Sequence, residues 1–472
     1  MLDAVGVDAS KLGGGLRIEG TPQYLGSPLR VIDAGTLALA GKAVAVASLS
    51  RARSGQEESV GIDCRDVVFA LNSFVHMLVD GQPATSWTDT VTTAPCLGHY
   101  DTADGRVVYM ANLVPKLRNG TLRLLGLDLN ADREAVAAAI RRWKGQELED
   151  AMTAEGVPVA LVRTAEEWAA SEQGAALAAC PLIDVATVGE AAPVPVGSAD
   201  RPFAGIRVLD MTHVLAGPMI TRGLAEYGAD VLHVKSALPD LKDPVAVTNE
   251  LGLGKRSAVL ELTAEQGRAR FAELLADADV FVHSWRPGVF DRFGFSPEQI
   301  AELSPGIVQV AVSCYGPRGP WAGRGGFDGL ALASTGPTAL EAELDRPRLA
   351  PPGVLTDALA GFLGTGVVAS LLQRRSREGG SFRAELSLAR IAMWLLDLGR
   401  LPVTDGSEPQ LGAPRLRRLA DTPLGPVDHV APAINFTHTQ SLLPRVDHLD
   451  GTYWPPRRRP GPRSEYARMG EP

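Results

Sequence analysis

From residue 203 onward, short apolar runs alternate with helical stretches. This alternation predicts an α/β fold built on a doubly wound, mainly parallel sheet. Two more observations complete the prediction. A hairpin followed by amphipathic helices reads as a smaller α+β domain ahead of the sheet, and a stretch rich in small residues and proline separates the two.

The run 206–211 reads as a buried strand, followed by a turn and a helix over 219–227 that Gly228 closes. Strands follow at 230–234 and 257–262, a helix at 264–276, and strands at 280–283 and 307–313. Strands at this spacing are joined by crossovers and lie parallel. Earlier in the chain, 31–75 is helical except for a turn at Arg53-Ser54-Gly55-Gln56 and a strand at 59–63. The hairpin spans 98–111, with Ala103-Asp104-Gly105 as its turn. Residues 132–155 read as a helix pair or one long helix: Asp132 caps it, and Val136, Ala139, Ile140, Trp143, Leu148, Ala151 and Met152 form its apolar face.

The expected organisation is a poorly ordered stretch 1–24, a helical segment 25–90 that packs on the large domain, and a small domain 91–190. A linker 191–202, within the proline-rich stretch 184–202, leads to the large domain 203–400 and an extension 401–472. The Pro- and Arg-rich end from Tyr453 is expected to be disordered or draped.

A length of 472 residues suggests two or three domains. Hydrophobic residues are 45% and charged residues 21%, ordinary for a globular protein. The formal charge of −9 favours neither nucleic acid nor an anionic membrane, so an anionic ligand needs a locally basic pocket. Apolar stretches are interrupted, as by Lys42 within 38–49, and the first residues lack the layout of a signal peptide. Cys64, Cys96, Cys180 and Cys314 are dispersed, with no CxxC or Cys/His cluster. That pattern argues against a metal site or a disulfide framework and predicts a cytoplasmic protein. No GxGxxG occurs, which disfavours a nicotinamide cofactor.

The chain repeats itself. Asp33, Arg51, Arg53 and Gly55 fall on Asp357, Arg375, Arg377 and Gly379 at a constant offset (357 − 33, 375 − 51, 377 − 53 and 379 − 55, each 324), without a gap. Two amphipathic helices with similar turns would account for this, and so would duplication followed by loss.

Five stretches in order carry a resemblance: FAGIRVLDMTHVLAGPMITRGLAEYGADVLHV, GKRSAVLEL, VFVHSWRPGVFDRFGFS, VSCYGPRGPWAGRGGFDGLALASTG and the segment 357–392. Together they resemble the large domain of family III CoA-transferases, which include formyl-CoA and carnitine CoA-transferases and α-methylacyl-CoA racemases. ADGRVVYMANL, LRLLGL and GVPVALVRTAEEWAASEQG are similar to the family's small domain, and GPVDHVAPAINFTHT to its usual end, but here the small domain comes first. The resemblance therefore implies a Rossmann-like large domain and a smaller α+β domain in permuted or half-duplicated order. It also implies an interlocked homodimer with sites between domains.

The chemistry it implies is transfer of coenzyme A from an acyl-CoA to a carboxylic acid through a covalent aspartyl intermediate. Asp328, in Gly325-Gly326-Phe327-Asp328-Gly329, matches the family's nucleophile, although an Asp between glycines is by itself a common turn residue. Phe327 stands where the racemases carry His, which favours transfer over racemisation. The turn 212–218 resembles the CoA-contacting loop, with His213, Val214 and Ala216 as contacts, and Trp285 belongs to the same cofactor-binding set. Lys255 and Arg256 are implied to neutralise phosphate, with Arg292 and Arg286 as further cations.

Several positions depart from the family pattern. Leu215 replaces a Gln of formyl-CoA transferases, 235–240 lacks the usual acidic residue and GDP, and no glycine-rich lid follows Leu398; Gly13-Gly14-Gly15 is the one glycine run that could stand in for it. An acyl-CoA racemase-like enzyme and a non-catalytic, repurposed relative remain alternative readings.

Overall fold

A computed structural model of the chain describes residues 13–84, 93–235, 250–342, 346–402, 410–419, 422, 424–443 and 454. The first unit runs β1 (Gly13–Glu19), α1 (Val31–Ser54), β2 (Glu58–Asp63) and α2 (Cys64–Ala70). The small domain follows with β3 (Leu97–Asp101), β4 (Val107–Ala111), α3 (Pro115–Leu124), α4 (Arg133–Ile140), α5 (Gly145–Ala154) and β5 (Ala160–Leu161). Strand β6 (Asp184–Gly189) leads into the large domain: β7 (Arg207–Met211), α6 (Ala216–Glu226), β8 (Asp230–Lys235), β9 (Lys255–Val259), α7 (Glu265–Asp277), β10 (Val280–His283) and β11 (Val308–Ser313). Next come α8 (Asp328–Thr335), α9 (Leu355–Glu378), β12 (Ser381–Ser387) and α10 (Leu388–Asp397), then β13 (Leu416–Leu419), β14 (Val427–Val430) and β15 (Ile434–Phe436).

The large sheet has the order β9-β8-β7-β10-β11-β12-β6. All neighbours pair in parallel except β6, which runs antiparallel to β12 at the edge. Its central residues Val208, Leu209, Val280, Phe281, Val282, Val308 and Val310 are wholly buried, as expected of strands covered on both faces. The chain winds outward from β7 through β8 to β9, then returns to place β10 on the other side of β7. That reversal creates a crevice at the carboxyl ends of β7 and β10, where open α/β sheets bind ligands.

The repeat is a physical one. Helices α1 and α9 are each 24 residues long and their ends share the offset of 324 (355 − 31 and 378 − 54). Gly55 and Gly379 end them, both at positive φ (77° and 74°), a conformation that glycine adopts without steric cost. The two helices pack on each other so closely that a Cβ on Gly366 would stand 3.1 Å from the Cα of Lys42. Both have the length and apolar composition of a membrane span, more than the interrupted sequence suggested, and both are buried over most of that length. The sheet β1-β2-β15 repeats the corner β11-β12-β6: two parallel strands and an antiparallel one.

Other details depart from expectation. Residues 13–19, within the stretch read as poorly ordered, form β1 because β2 offers its free edge; the glycines 13–15 lie in this strand rather than in a lid. The first part of the proline-rich stretch is β6, because its backbone groups complete the edge of the large sheet. Residues 132–155 form the helix pair, the first of the two readings, whereas α6 begins at Ala216, three residues early. Trp454 is buried against the large-domain core; 1–12, 236–240 and the tail beyond Trp454 lie outside the described residues.

Candidate active site

The first half of the site is the loop after β7. Asp210, at the strand's end, is fully buried and accepts hydrogen bonds from Thr212 N (3.1 Å), Thr212 Oγ1 (2.5 Å), Thr221 Oγ1 (2.6 Å) and Lys255 Nζ (3.1 Å). Burial alone would push its carboxyl up; Lys255, His233 and Thr212 more than offset that and hold it below the usual carboxylate range. Lys255 also donates to the Pro218 carbonyl (2.9 Å) and Thr221 Oγ1 (2.7 Å). Its ammonium is consumed in locking the loop, so the expectation that it neutralises phosphate is corrected: its strand position points the side chain under α6. Arg256, its neighbour, faces the other way and pairs with Asp230 (2.9 Å) on the outer strands.

Val214 adopts φ 63°, a left-handed conformation that costs a β-branched residue about 1–2 kcal/mol. Two features hold it there. His213 N–H donates to Ser284 Oγ (2.7 Å), bridging the loops after β7 and β10, and Val214 and Leu215 pack with Phe74, Leu251 and Val354. The His213 ring sits edge-on to Trp285 (centroids 5.0 Å apart). The structure thus brings His213, Val214, Trp285 and the first helical residue Ala216 together at the crevice. Arg292 is exposed on the short helical turn Asp291–Phe293 that follows, and Arg286 reaches the Gly323 carbonyl (3.4 Å), tying this loop to the glycine-rich segment.

The second half is a pair of buried carboxylates. Asp328 opens α8, and its Oδ1 accepts from Thr356 N (2.5 Å), Thr356 Oγ1 (2.5 Å) and Asp357 N (3.3 Å), the first turn of α9. Its Oδ2 is buried without a hydrogen-bond partner among the described residues. Asp357 is the third residue of α9, 5% exposed, and no hydrogen bond to its carboxyl forms among the described residues. Burial, then repulsion from Asp328, pushes Asp357 well above the usual carboxylate range. Burial raises Asp328 to about 6 despite the bonds from Thr356 and Asp357. Such a pair titrates as a unit and holds a proton near neutrality. Val354, packed on Leu215, sets this helix end beside the crevice loop.

Close approach explains two of the glycines. A Cβ on Gly326 would lie 2.5 Å from Cys314 Sγ, and one on Gly329 would lie 2.3 Å from Cε1 of Tyr109. Tyr109 belongs to β4, so the small domain forms one wall: Leu97, Tyr109, Ala160 and Val162 pack against Leu330 and Ala333 of α8. The sequence pattern assigned no role to Asp357 or Tyr109. For Asp357 a signal existed, since the repeat places an acid in the first turn of a helix that is otherwise almost wholly apolar.

Fold and site together define a Rossmann-like α/β protein with a second, smaller domain packed on α8 and a buried carboxylate pair near the loop after β7. CoA-transferase family III matches residues 3–196 and again 203–410, and the chain belongs to that family. Acetyl-coenzyme A transferase nodX of Hypoxylon pulicicidum is 38% identical over 206 residues, covering 42% of this chain and 34% of that protein. An acyl-CoA transferase of Gibberella moniliformis is 29% identical over 323 residues (63% and 56%), and succinyl-CoA:glutarate CoA-transferase of Mus musculus 32% over 193 residues (39% and 44%). The matched regions thus span between a third and just over half the length of these relatives. Among solved structures, Rv3272 from M. tuberculosis aligns over 42% of this chain and 56% of its own, at 27% identity and a TM-score of 0.38.

Proposed function

We propose that the protein transfers coenzyme A from an acyl-CoA to a free carboxylic acid through a covalent aspartyl intermediate. The observation that carries this is the buried pair Asp328 and Asp357 beside the crevice loop. The sequence pointed to Asp328 as the nucleophile, but its Oδ1 is occupied by three donors that hold the end of α9. Asp328 keeps only Oδ2 unpartnered, whereas neither oxygen of Asp357 accepts a hydrogen bond among the described residues, so we assign the attack to Asp357 and make Asp328 its positioning partner.

The steps balance without net proton transfer. A carboxylate oxygen of Asp357 attacks the thioester carbon; the C–S bond breaks and CoA leaves as thiolate with the electron pair, leaving an aspartyl–acyl anhydride. The thiolate attacks the aspartyl carbonyl, releasing the first acid and forming an aspartyl–CoA thioester. The acceptor carboxylate then attacks that carbonyl and expels the thiolate, giving a new anhydride. Attack of the thiolate on the acceptor carbonyl releases product and regenerates Asp357. His213, Val214, Ala216 and Trp285 are placed to line the CoA path, with Arg292 as the exposed cation for phosphate. The proposed assembly is a homodimer.

Intact-protein mass after incubation with acyl-CoAs tests the mechanism. An acyl- or CoA-sized adduct on wild type and on Asp328→Asn, absent from Asp357→Asn, supports the assignment. An adduct lost with Asp328→Asn but retained by Asp357→Asn reverses the roles. No adduct, with deuterium exchange at the acyl α-carbon instead, moves the protein to the racemase-like reading, for which a proton-sharing pair is also suited.

A further inference from the structure

We propose that Tyr109 is a catalytic residue, its phenol donating a hydrogen bond to the thioester carbonyl oxygen, and that each chain completes its site in cis from its two family-matched stretches. The proposal rests on the acyl-transfer reading above. Tyr109 lies in the stretch 3–196, whereas Asp328 and Asp357 lie in 203–410.

Geometry puts the phenol beside Asp328, one member of the carboxylate pair. Its ring lies across Gly329, where a Cβ would stand 2.3 Å from Cε1 and 2.8 Å from the hydroxyl oxygen. The hydroxyl is therefore above the first turn of α8, one residue from Asp328. The residue is 5% exposed, and its hydroxyl oxygen is not wholly enclosed by the protein. Neighbouring tyrosines differ: Tyr100 donates to the Pro95 carbonyl (2.7 Å) and Tyr315 bonds Ser334 Oγ (3.3 Å). A phenol hydroxyl that is not wholly enclosed and is not taken up in the bonds its neighbours make can donate to a ligand bound beside α8.

The donor's character suits the task. Burial, then the Asp328 charge, raises the phenol's pKa, so it stays a neutral O–H at any working pH. His99 backs the ring (centroids 4.8 Å apart), and burial and Arg133 lower its pKa to about 4, keeping it neutral and the wall uncharged. When Asp357 attacks, the thioester carbonyl oxygen gains negative charge. A fixed donor in a water-poor site stabilises that charge most in the transition state, and no proton leaves Tyr109.

The wall that carries Tyr109 is built by this chain. Small-domain residues Leu97, Ala160 and Val162 pack on α8 of the same polypeptide, and Arg163 N–H donates to the Ala333 carbonyl (3.0 Å). In a chain with its halves in this order, the small domain of the first stretch serves the carboxylates of the second.

The test is steady-state transfer by Tyr109→Phe, which keeps the ring and loses only the hydroxyl. We expect kcat to fall by about 10²–10³-fold with acyl-CoA affinity by calorimetry unchanged. A kcat within about twofold of wild type, while wild type forms its adduct, overturns the role of Tyr109 alone; a wild type without adduct or transfer overturns both this proposal and the reading beneath it. Co-expressed Tyr109→Phe and Asp357→Asn chains, purified as mixed dimers, should be no more active than the variants separately. Recovery of activity in the mixed dimer would show sites built across chains and overturn assembly in cis.

Discussion

The two copies of the repeat, residues 31–70 and 355–397, share their helices, strands and terminating glycines but not their chemistry. In the first, Asp33 lies in the opening turn of α1 and pairs with Arg30 (2.9 Å), its side chain 31% exposed. In the second, Asp357 holds the same place in α9 but faces Asp328, buried and without a counter-charge. The helix supplies a position; what stands opposite decides whether an acid there is a surface ion pair or one of two carboxyls competing for a proton. Among the described residues, no counterpart of the glycine-flanked α8 packs against the start of α1.

The largest expected effect breaks this comparison directly. Asp357→Asn should abolish transfer, by at least about a thousandfold in kcat, while Asp33→Asn leaves kcat within about twofold. Loss of activity from Asp33→Asn would show that the first copy also reaches a site. Next, Asp328→Asn should slow transfer by about a hundredfold through misplacement of α9, yet still form adduct.

Titration sharpens the contrast. Attack requires an ionised Asp357, whose carboxyl burial and then Asp328 hold well above the usual carboxylate range, so kcat/KM should rise with pH through a range well above that of a free Asp. Stability runs the other way. Folded carboxyls with raised pKa bind protons more tightly than the unfolded chain does, so the pair's contribution is fullest below the unfolded Asp range and is lost as pH rises to about 6 and beyond. Asp357→Asn should therefore raise Tm more at pH 8 than at pH 4, whereas Asp33→Asn should do so at neither.

The helix crossing offers a smaller, purely structural test. Lys42 is buried where α1 meets α9 and pairs with Glu226 (3.4 Å), and Lys42→Ala should cost about 1–3 kcal/mol in denaturant unfolding, because that carboxylate keeps Ser441 and Arg222 but loses its nearest cation. The smallest effect belongs to Arg256→Ala: its exposed pair with Asp230 is worth under about 1 kcal/mol, and KM for acyl-CoA should not move. Arg292→Ala should raise that KM, and equal behaviour of the two variants would remove Arg292 from the CoA path.

Much of the large domain is legible in the order of its residues. Alternating apolar runs locate every strand from β7 to β11 within about three residues, because strands buried on both faces must be continuously apolar. The crevice loop with His213 and Val214, and the glycines around Asp328, stand out for the same local reason: turns and close approaches restrict residue type. The short edge strands are less visible. β1 and β6 exist because neighbouring strands offer unpaired backbone groups, a demand that their own residues do not announce.

The sequence by itself determined the α/β class, the repeat at an offset of 324 residues, the family and the neighbourhood of the proposed site, all properties of local pattern and order. Only the tertiary structure decided which charges face which. It turned Lys255 inward to Asp210, tied Asp328 Oδ1 to the end of α9, set Asp357 against Asp328 without a counter-charge, and laid Tyr109 over Gly329. Pairings between residues far apart in the chain depend on how whole elements pack, and no short stretch of residues encodes that.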